Sequence, residues 1–216
     1  MRRVLIIVVL ALLAGSTALA LTKGRIAGPE GNPDSVVRNI LYAHVPSSIC
    51  SLLCFAVLLV TSIGYLVTEK PSWDLTAAAS AEVAALFATV LNLTGMVFAK
   101  AEWDAWWSPS PRLISSAILW FLAVVYLILR TSVSGSHHHR ARVCAVFGII
   151  AFLDVPMVYI SARFIPDVHR PNFTFGSDWQ RIAFVMGIHA VILLAALLIW
   201  LRTDVLKMKA RLEEFS

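Results

Sequence analysis

Residues 40–67 read ILYAHVPSSICSLLCFAVLLVTSIGYLV, and this apolar run decides the architecture. As a helix it would be roughly 40 Å long, more than the roughly 30 Å hydrocarbon core of a bilayer. Its first turns therefore stand outside the core, and they carry His44, Val45 and Pro46. Runs of similar character flank it at 4–21, 76–99, 113–129, 143–164 and 182–201. Across the whole chain of 216 residues, 59% are hydrophobic and 14% charged, against a usual balance of about 45–50% and 25%. That composition excludes a disordered chain, and the runs are too long for a barrel of roughly 10-residue alternating strands. The fold expected is all-α: an integral membrane helical bundle of six transmembrane helices, forming a single membrane domain over residues 1–216. Little chain is left over for a separate soluble catalytic domain.

The net charge of +5 would point to nucleic acid in a soluble protein. Here the basic residues mostly flank apolar runs, so they report membrane orientation instead, and no nucleic-acid partner is expected. Six spans place both termini on one side. Assigning that side to the cytoplasm collects ten Lys and Arg inside, among them Arg2, Arg3, Arg130, Arg140, Arg142, Lys207, Lys209 and Arg211, and leaves eight outside. The outer set includes Lys100, Arg112, Arg163 and Arg181 at span ends, where anionic ligand groups would account for them. The outer face then consists of loops 22–44, 100–112 and 165–181. The first run follows Arg2-Arg3 and ends in Ala18-Leu19-Ala20, which imitates a signal cleavage site. It is long enough to cross the membrane and is read as an uncleaved span; either outcome puts 22–39 on the far side.

Within the spans, Ala77, Ala81 and Ala85 offer a small-residue face for close helix packing. Cys50, Cys54 and Cys144 form neither a CxxC pair nor a CxxCH signature and are read as packing residues, with no disulfide. Glu82, Asp154 and His189 are polar groups in apolar runs. Asp154 and His189 lie at matched depth, roughly 17 Å from the inner ends at 1.5 Å per residue, and are expected to form a hydrogen-bonded pair between helices. Glu82, nearer the inner face, is expected to be protonated or to reach polar neighbours. His137, His138 and His139 are read as a solvated loop, because no carboxylate or cysteine accompanies them in sequence.

Three features converge on the outer face: His44, the segment AEWDAWWSPSPR at 101–112, and His169. Imidazole suits iron, and histidines on opposite sides of a flat ligand supply both axial positions of a haem. A solvated interfacial histidine is the alternative for each. Trp103, Trp106 and Trp107 favour the membrane interface as an aromatic belt; equally, with Lys100 and Arg112 beside them, they make a platform for a porphyrin face and its propionates. Pro109 and Pro111 keep the segment from being one straight helix.

These residues resemble a known family, the haem-handling membrane proteins of cytochrome c maturation of the CcmC/CcsA type, and most closely its compact six-span haem exporters. NILYAHVPSS at 39–48 resembles the family's histidine entry to span two, and LTGMVFAKAEWDAWW at 93–107 its span three and tryptophan-rich motif. PRLISSAILW at 111–120 resembles the start of span four, and VPMVYISARF at 155–164 followed by His169 resembles span five and its second histidine. The resemblance implies that His44 and His169 are the haem ligands and that Trp103, Trp106, Trp107 and Arg112 belong to the haem-binding surface. The family motif usually has glycine where Asp104 stands and Trp-Asp where Pro109-Ser110 stand, so two expectations stand side by side: haem sits differently, with Asp104 or Glu102 taking over a polar role, or the chain is a divergent member with weakened binding.

The function implied is that of a cytochrome c biogenesis factor in a bacterial inner membrane, with both termini cytoplasmic. It would hold haem b non-covalently and transiently at the external face and hand it to a haem chaperone or apocytochrome, which is binding and transfer and not enzymatic bond-making. Partners implied by the resemblance are an ABC-type ATPase, a small membrane subunit and a membrane-anchored haem chaperone; the chain itself has no Walker A motif. The alternatives are a redox or electron-transfer subunit with a permanently bound haem, and a membrane scaffold with no cofactor.

Overall fold

The computed structural model describes residues 2–26, 36–164 and 175–214. All of its regular structure is helical: α1 (Arg2–Thr22), a 3₁₀ turn (Val36–Ile40), α2 (Leu41–Thr68), α3 (Pro71–Trp103), α4 (Pro111–Ser132), α5 (His137–Ala151), α6 (Asp154–Phe164) and α7 (Asp178–Glu214). Six stretches are long and apolar enough to cross a membrane, with α5 and the start of α6 together making the fifth. The all-α, six-span expectation is met, and the chain is a multi-pass membrane protein.

The helices overrun the expected spans for local reasons. Pro71 opens α3 at a position where a missing N–H costs nothing. The loop expected at 68–75 therefore shrinks to Glu69 and Lys70, with Glu69 in the left-handed conformation (φ 55°) and its N–H donating to the Tyr65 carbonyl at 2.7 Å. At the other end of α3 the helix runs on through Trp103, so this tryptophan is helical and not in a loop. The expected histidine loop is also corrected: His137, His138 and His139 form the first turn of α5, because the Ser136 Oγ accepts from the His139 N–H and caps it. Span five is broken at Phe152-Leu153. Pro156 supplies the cause, since it has no N–H for the Phe152 carbonyl, and the Val155 N–H reaches that carbonyl instead at 3.0 Å.

Packing is closest where side chains are smallest. Helix α3 turns Ala77, Ala81, Ala84 and Ala88 inward, fully buried, against α2. Ala85, expected on that stripe, is only half-buried, because a 3.6-residue period carries the stripe onto Ala84 and Ala88. Helix α1 lies on α7, where a Cβ at Gly187 would fall 2.8 Å from the Ser16 Oγ. The Ser16 hydroxyl donates to the Ala183 carbonyl at 2.9 Å in this seam. Cys50, Cys54 and Cys144 are free and buried, as their packing role requires.

The ends of the bundle differ in charge pairing. At the end holding both termini, Asp74 is 3% exposed and accepts from both terminal nitrogens, Nη1 and Nη2, of Arg130 at 2.7 Å. Glu82 pairs with Arg202 through two hydrogen bonds, and Arg2 with Asp204. The α5 histidines join this end: the His137 Nε2 lies 3.6 Å from Asp74 and the His138 Nε2 3.6 Å from Glu69. Their carboxylate company comes from the α2–α3 turn, far away in sequence.

Asp154 and His189 do not form the expected pair. Helix α6 packs chiefly on α4, whereas α7 packs on α1, α2 and α3. The His189 side chain is exposed, and its Nδ1 bonds the Val185 carbonyl of its own helix at 2.8 Å. Counting residues along each run says how far along its helix a side chain stands but not which helix it meets, and here α6 has α4 beside it while the His189 side chain faces out from α7.

Candidate functional site at the end opposite the termini

The end opposite the termini gathers the start of α2, the ends of α1 and α3, and the starts of α4 and α7. Several polar contacts hold these pieces together. The Tyr42 hydroxyl donates to the Gly24 carbonyl at 2.6 Å, and the Ile26 N–H to the Asn39 Oδ1 at 3.0 Å. The Gln180 amide of α7 donates to the Arg25 carbonyl at 2.7 Å. Arg38, in the 3₁₀ turn before α2, meets Glu102 near the end of α3 with both nitrogen–oxygen distances at 2.7 Å. This bidentate pair is half-buried, where charge-assisted hydrogen bonds are strong, and it fixes the entry of α2 against the tryptophan segment.

His44 stands on the first turns of α2, half-buried, facing α3. Its Nδ1 is 2.9 Å from the Thr94 Oγ1, and a Cβ at Gly95 would lie 3.1 Å from its Cε1. The ring thus rests on the one residue of that turn with no side chain. From Gly95 to Trp103 is eight residues of helix, so His44 lies about 12 Å inward of the tryptophans at 1.5 Å per residue. Sequence reading put all of them at one level, just outside the span ends; α3 shows the offset because it stays helical to Trp103.

Trp103 packs edge-on against Phe98, ring centres 6.0 Å apart. Asp104 then ends the helix in the left-handed conformation (φ 55°), with Lys100 bonded to its carboxylate. That conformation is the usual station of glycine at a helix C-terminus, and Asp is among the few other residues to adopt it readily. Trp106 and Trp107 follow, 56% and 42% exposed. Ser110 caps α4, its Oγ accepting from the Leu113 N–H at 3.4 Å, with Pro111 as the first helical residue. Arg112 comes next, half-buried in the first turn.

His44, Trp103, Trp106, Trp107 and Arg112 therefore share one end of the molecule, while His169 lies outside the described residues. Glu102 and Asp104, candidates for a polar role toward a ligand, instead bond Arg38 and Lys100. Sequence reading missed Thr94, Gly95 and the Arg38–Glu102 pair. The cap at Ser110 had a local signal, serine and proline just ahead of an apolar run; the contacts to His44 had none, since 50 residues separate His44 from Thr94. Among the described residues no group of three or more His, Cys, Asp or Glu side chains is placed to hold a metal ion. A porphyrin brings four iron ligands of its own and asks the protein only for axial ones. An open hollow of about 360 Å³ runs along the start of α7, lined by Arg181, Ile182, Val185 and Met186.

Comparison with known proteins places this arrangement. The family profile described as Heme exporter protein C (CcmC) matches residues 1–214. The chain is similar to Heme exporter protein C of Bradyrhizobium diazoefficiens, at 27% identity over 76% of this chain and 63% of the relative. It is similar to Heme exporter protein C of Escherichia coli K12, at 27% identity over 73% of this chain and 66% of the relative. With the Haemophilus influenzae protein of the same name the identity is 25%, over 80% and 73%. The matched part of the chain spans just under two thirds of the length of the first two relatives. With the family profile covering nearly all of its length and the histidine–tryptophan end built as described, the chain belongs to the Heme exporter protein C (CcmC) family of cytochrome c biogenesis.

Proposed function

We propose that the protein holds haem b transiently at the external face of a bacterial inner membrane and passes it to a haem chaperone or apocytochrome. The observation that carries this reading is the seating of His44: an imidazole held against Gly95 at the outer end of the bundle, beneath a segment with two exposed indoles. Its chemistry fits haem, because a half-buried imidazole provides an axial nitrogen and the indoles outside it provide flat apolar cover. His169 supplies the second axial ligand, Trp103, Trp106 and Trp107 cover the porphyrin toward the outside, and Arg112 attends a propionate. The six spans act as one domain, and the work done is binding and release, with no bond made or broken in the cargo.

A permanent haem between helices would call for a second histidine turned into the bundle, whereas the His189 side chain is exposed on α7. Both termini and the α5 histidines face the cytoplasm in this reading, and energy for transfer comes from a separate ABC-type ATPase, alongside a small membrane subunit and a membrane-anchored haem chaperone.

The test is the optical spectrum of detergent-purified protein loaded with haem. Single His44→Ala and His169→Ala variants should each change the low-spin spectrum, and the double variant should lose specific haem retention. A double variant that keeps the wild-type low-spin spectrum and still supports cytochrome c maturation overturns the ligand assignment.

A further inference from the structure

We infer that Thr94, together with Gly95, is a positioning residue that commits the proton of His44 to Nδ1 and so makes Nε2 the iron ligand; the inference rests on the reading of His44 as a haem ligand. The argument is one of proton accounting. A threonine hydroxyl has one proton and two lone pairs. The Thr94 Oγ1 is 2.6 Å from the Val90 carbonyl and 3.2 Å from the Leu91 carbonyl, so its proton is spent on its own helix, in the back-bond usual for threonine within a helix. What Thr94 offers to His44 is a lone pair. The His44 Nδ1 at 2.9 Å bonds it only as a donor, carrying the proton. In the neutral ring the other nitrogen, Nε2, then holds the lone pair that iron needs.

Gly95 is the second half of the device. Its missing side chain leaves room for the ring: a Cβ there would be 3.1 Å from Cε1 and 3.7 Å from Nδ1, so the ring would have to give by a few tenths of an ångström and its bond to the threonine would be disturbed. The two residues are consecutive, so one turn of α3 provides both the hydrogen-bond acceptor and the seat. An acceptor on the far nitrogen of a ligating histidine fixes its tautomer and orientation and raises its basicity, and removing such a partner typically costs roughly 10–100-fold in metal affinity.

The experiment has two readouts on the full chain in detergent. In the first, ¹⁵N NMR of the histidine-labelled, haem-free protein identifies the His44 signals by their loss in His44→Ala. Wild type and Thr94→Ser should show the proton on Nδ1, whereas Thr94→Val, which keeps the shape and removes the acceptor, should lose that preference. In the second, haemin titration should give Thr94→Val an affinity roughly 10–100-fold below wild type, with Thr94→Ser restoring most of it. Should Thr94→Val fail to fold, Gly95→Ala replaces it, with the same directions expected in both readouts.

A Thr94→Val protein that keeps the Nδ1 proton overturns the inference at its first step. One that changes tautomer but binds haemin like wild type, while His44→Ala does not, overturns the positioning role and leaves the ligand reading standing. Undiminished haemin binding by His44→Ala sinks the ligand reading and this inference with it.

Discussion

Replacing Asp74 with asparagine should destabilise the protein by about 3–5 kcal/mol, the usual result of breaking a buried ion pair from one side. Asp74 is 3% exposed and Arg130 16%, and both hydrogen bonds between them are 2.7 Å. Asparagine offers one carbonyl oxygen where the guanidinium had two anionic ones, so the arginine stays buried with its charge uncompensated. At about 1.4 kcal/mol per factor of ten, the folded-to-unfolded ratio should fall by two to three and a half powers of ten. A solvated pair would cost only about 0–1 kcal/mol, so the two cases are well separated. Replacing both partners by apolar residues, Asp74→Leu with Arg130→Met, should recover most of the loss, because no orphaned charge remains. Denaturant unfolding in mixed micelles, followed by tryptophan fluorescence, measures Asp74→Asn and the four corners of the cycle: wild type, Asp74→Leu, Arg130→Met and the double variant. The reasoning is refuted if Asp74→Asn costs less than about 1 kcal/mol, or if the single losses simply add in the double variant. Haem affinity of the folded fraction provides a control, since the pair lies at the opposite end of the bundle from His44.

Asp154→Asn and His189→Ala should show additive effects within about 0.5 kcal/mol in the same unfolding assay, as expected for residues that share no contact; a larger coupling would place them together. In a background lacking Cys50, Cys54 and Cys144, a cysteine at position 137 should resist an impermeant thiol reagent added to intact cells and a cysteine at 106 should react; the reverse pattern would invert the proposed orientation. His44→Ala should disturb the haem spectrum more than any single Trp→Ala change among Trp103, Trp106 and Trp107, because a bond to iron outweighs stacking worth on the order of 1 kcal/mol per indole. Equal effects from one tryptophan would move the weight of binding onto the aromatic segment.

What was legible in the sequence was whatever one helix decides alone. Apolar runs longer than the bilayer is thick announce spans whatever their neighbours do, and six of them were found where six helices stand. The side-to-side arrangement was not legible, because depth can be counted along a chain and azimuth cannot. Asp154 and His189 show this directly, and so does the converse case of His137, whose carboxylate neighbour Asp74 arrives from another helix. His44 was visible as a histidine at a span entrance, but the Thr94 and Gly95 that hold it became visible only once α2 and α3 were packed together.

The two departures from the family motif become intelligible at the same level. A residue at 104 must end α3 with a positive φ, and a residue at 110 must start α4 by accepting a backbone N–H. Glycine meets the first demand through its freedom and Asp104 meets it as one of the few side chains at ease in that region, with the Lys100 ammonium drawn onto its carboxylate. Aspartate and serine are interchangeable for the second, as both are strong N-caps. The backbone course of the segment therefore does not need the family residues at either point. What Pro109 lacks is the indole of the family motif, so in the proposed site the cover would narrow to Trp103, Trp106 and Trp107 while the helix ends that carry them stay in place. On this argument the substitutions bear on how firmly a flat ligand is covered, and leave untouched the histidine that would bond its iron.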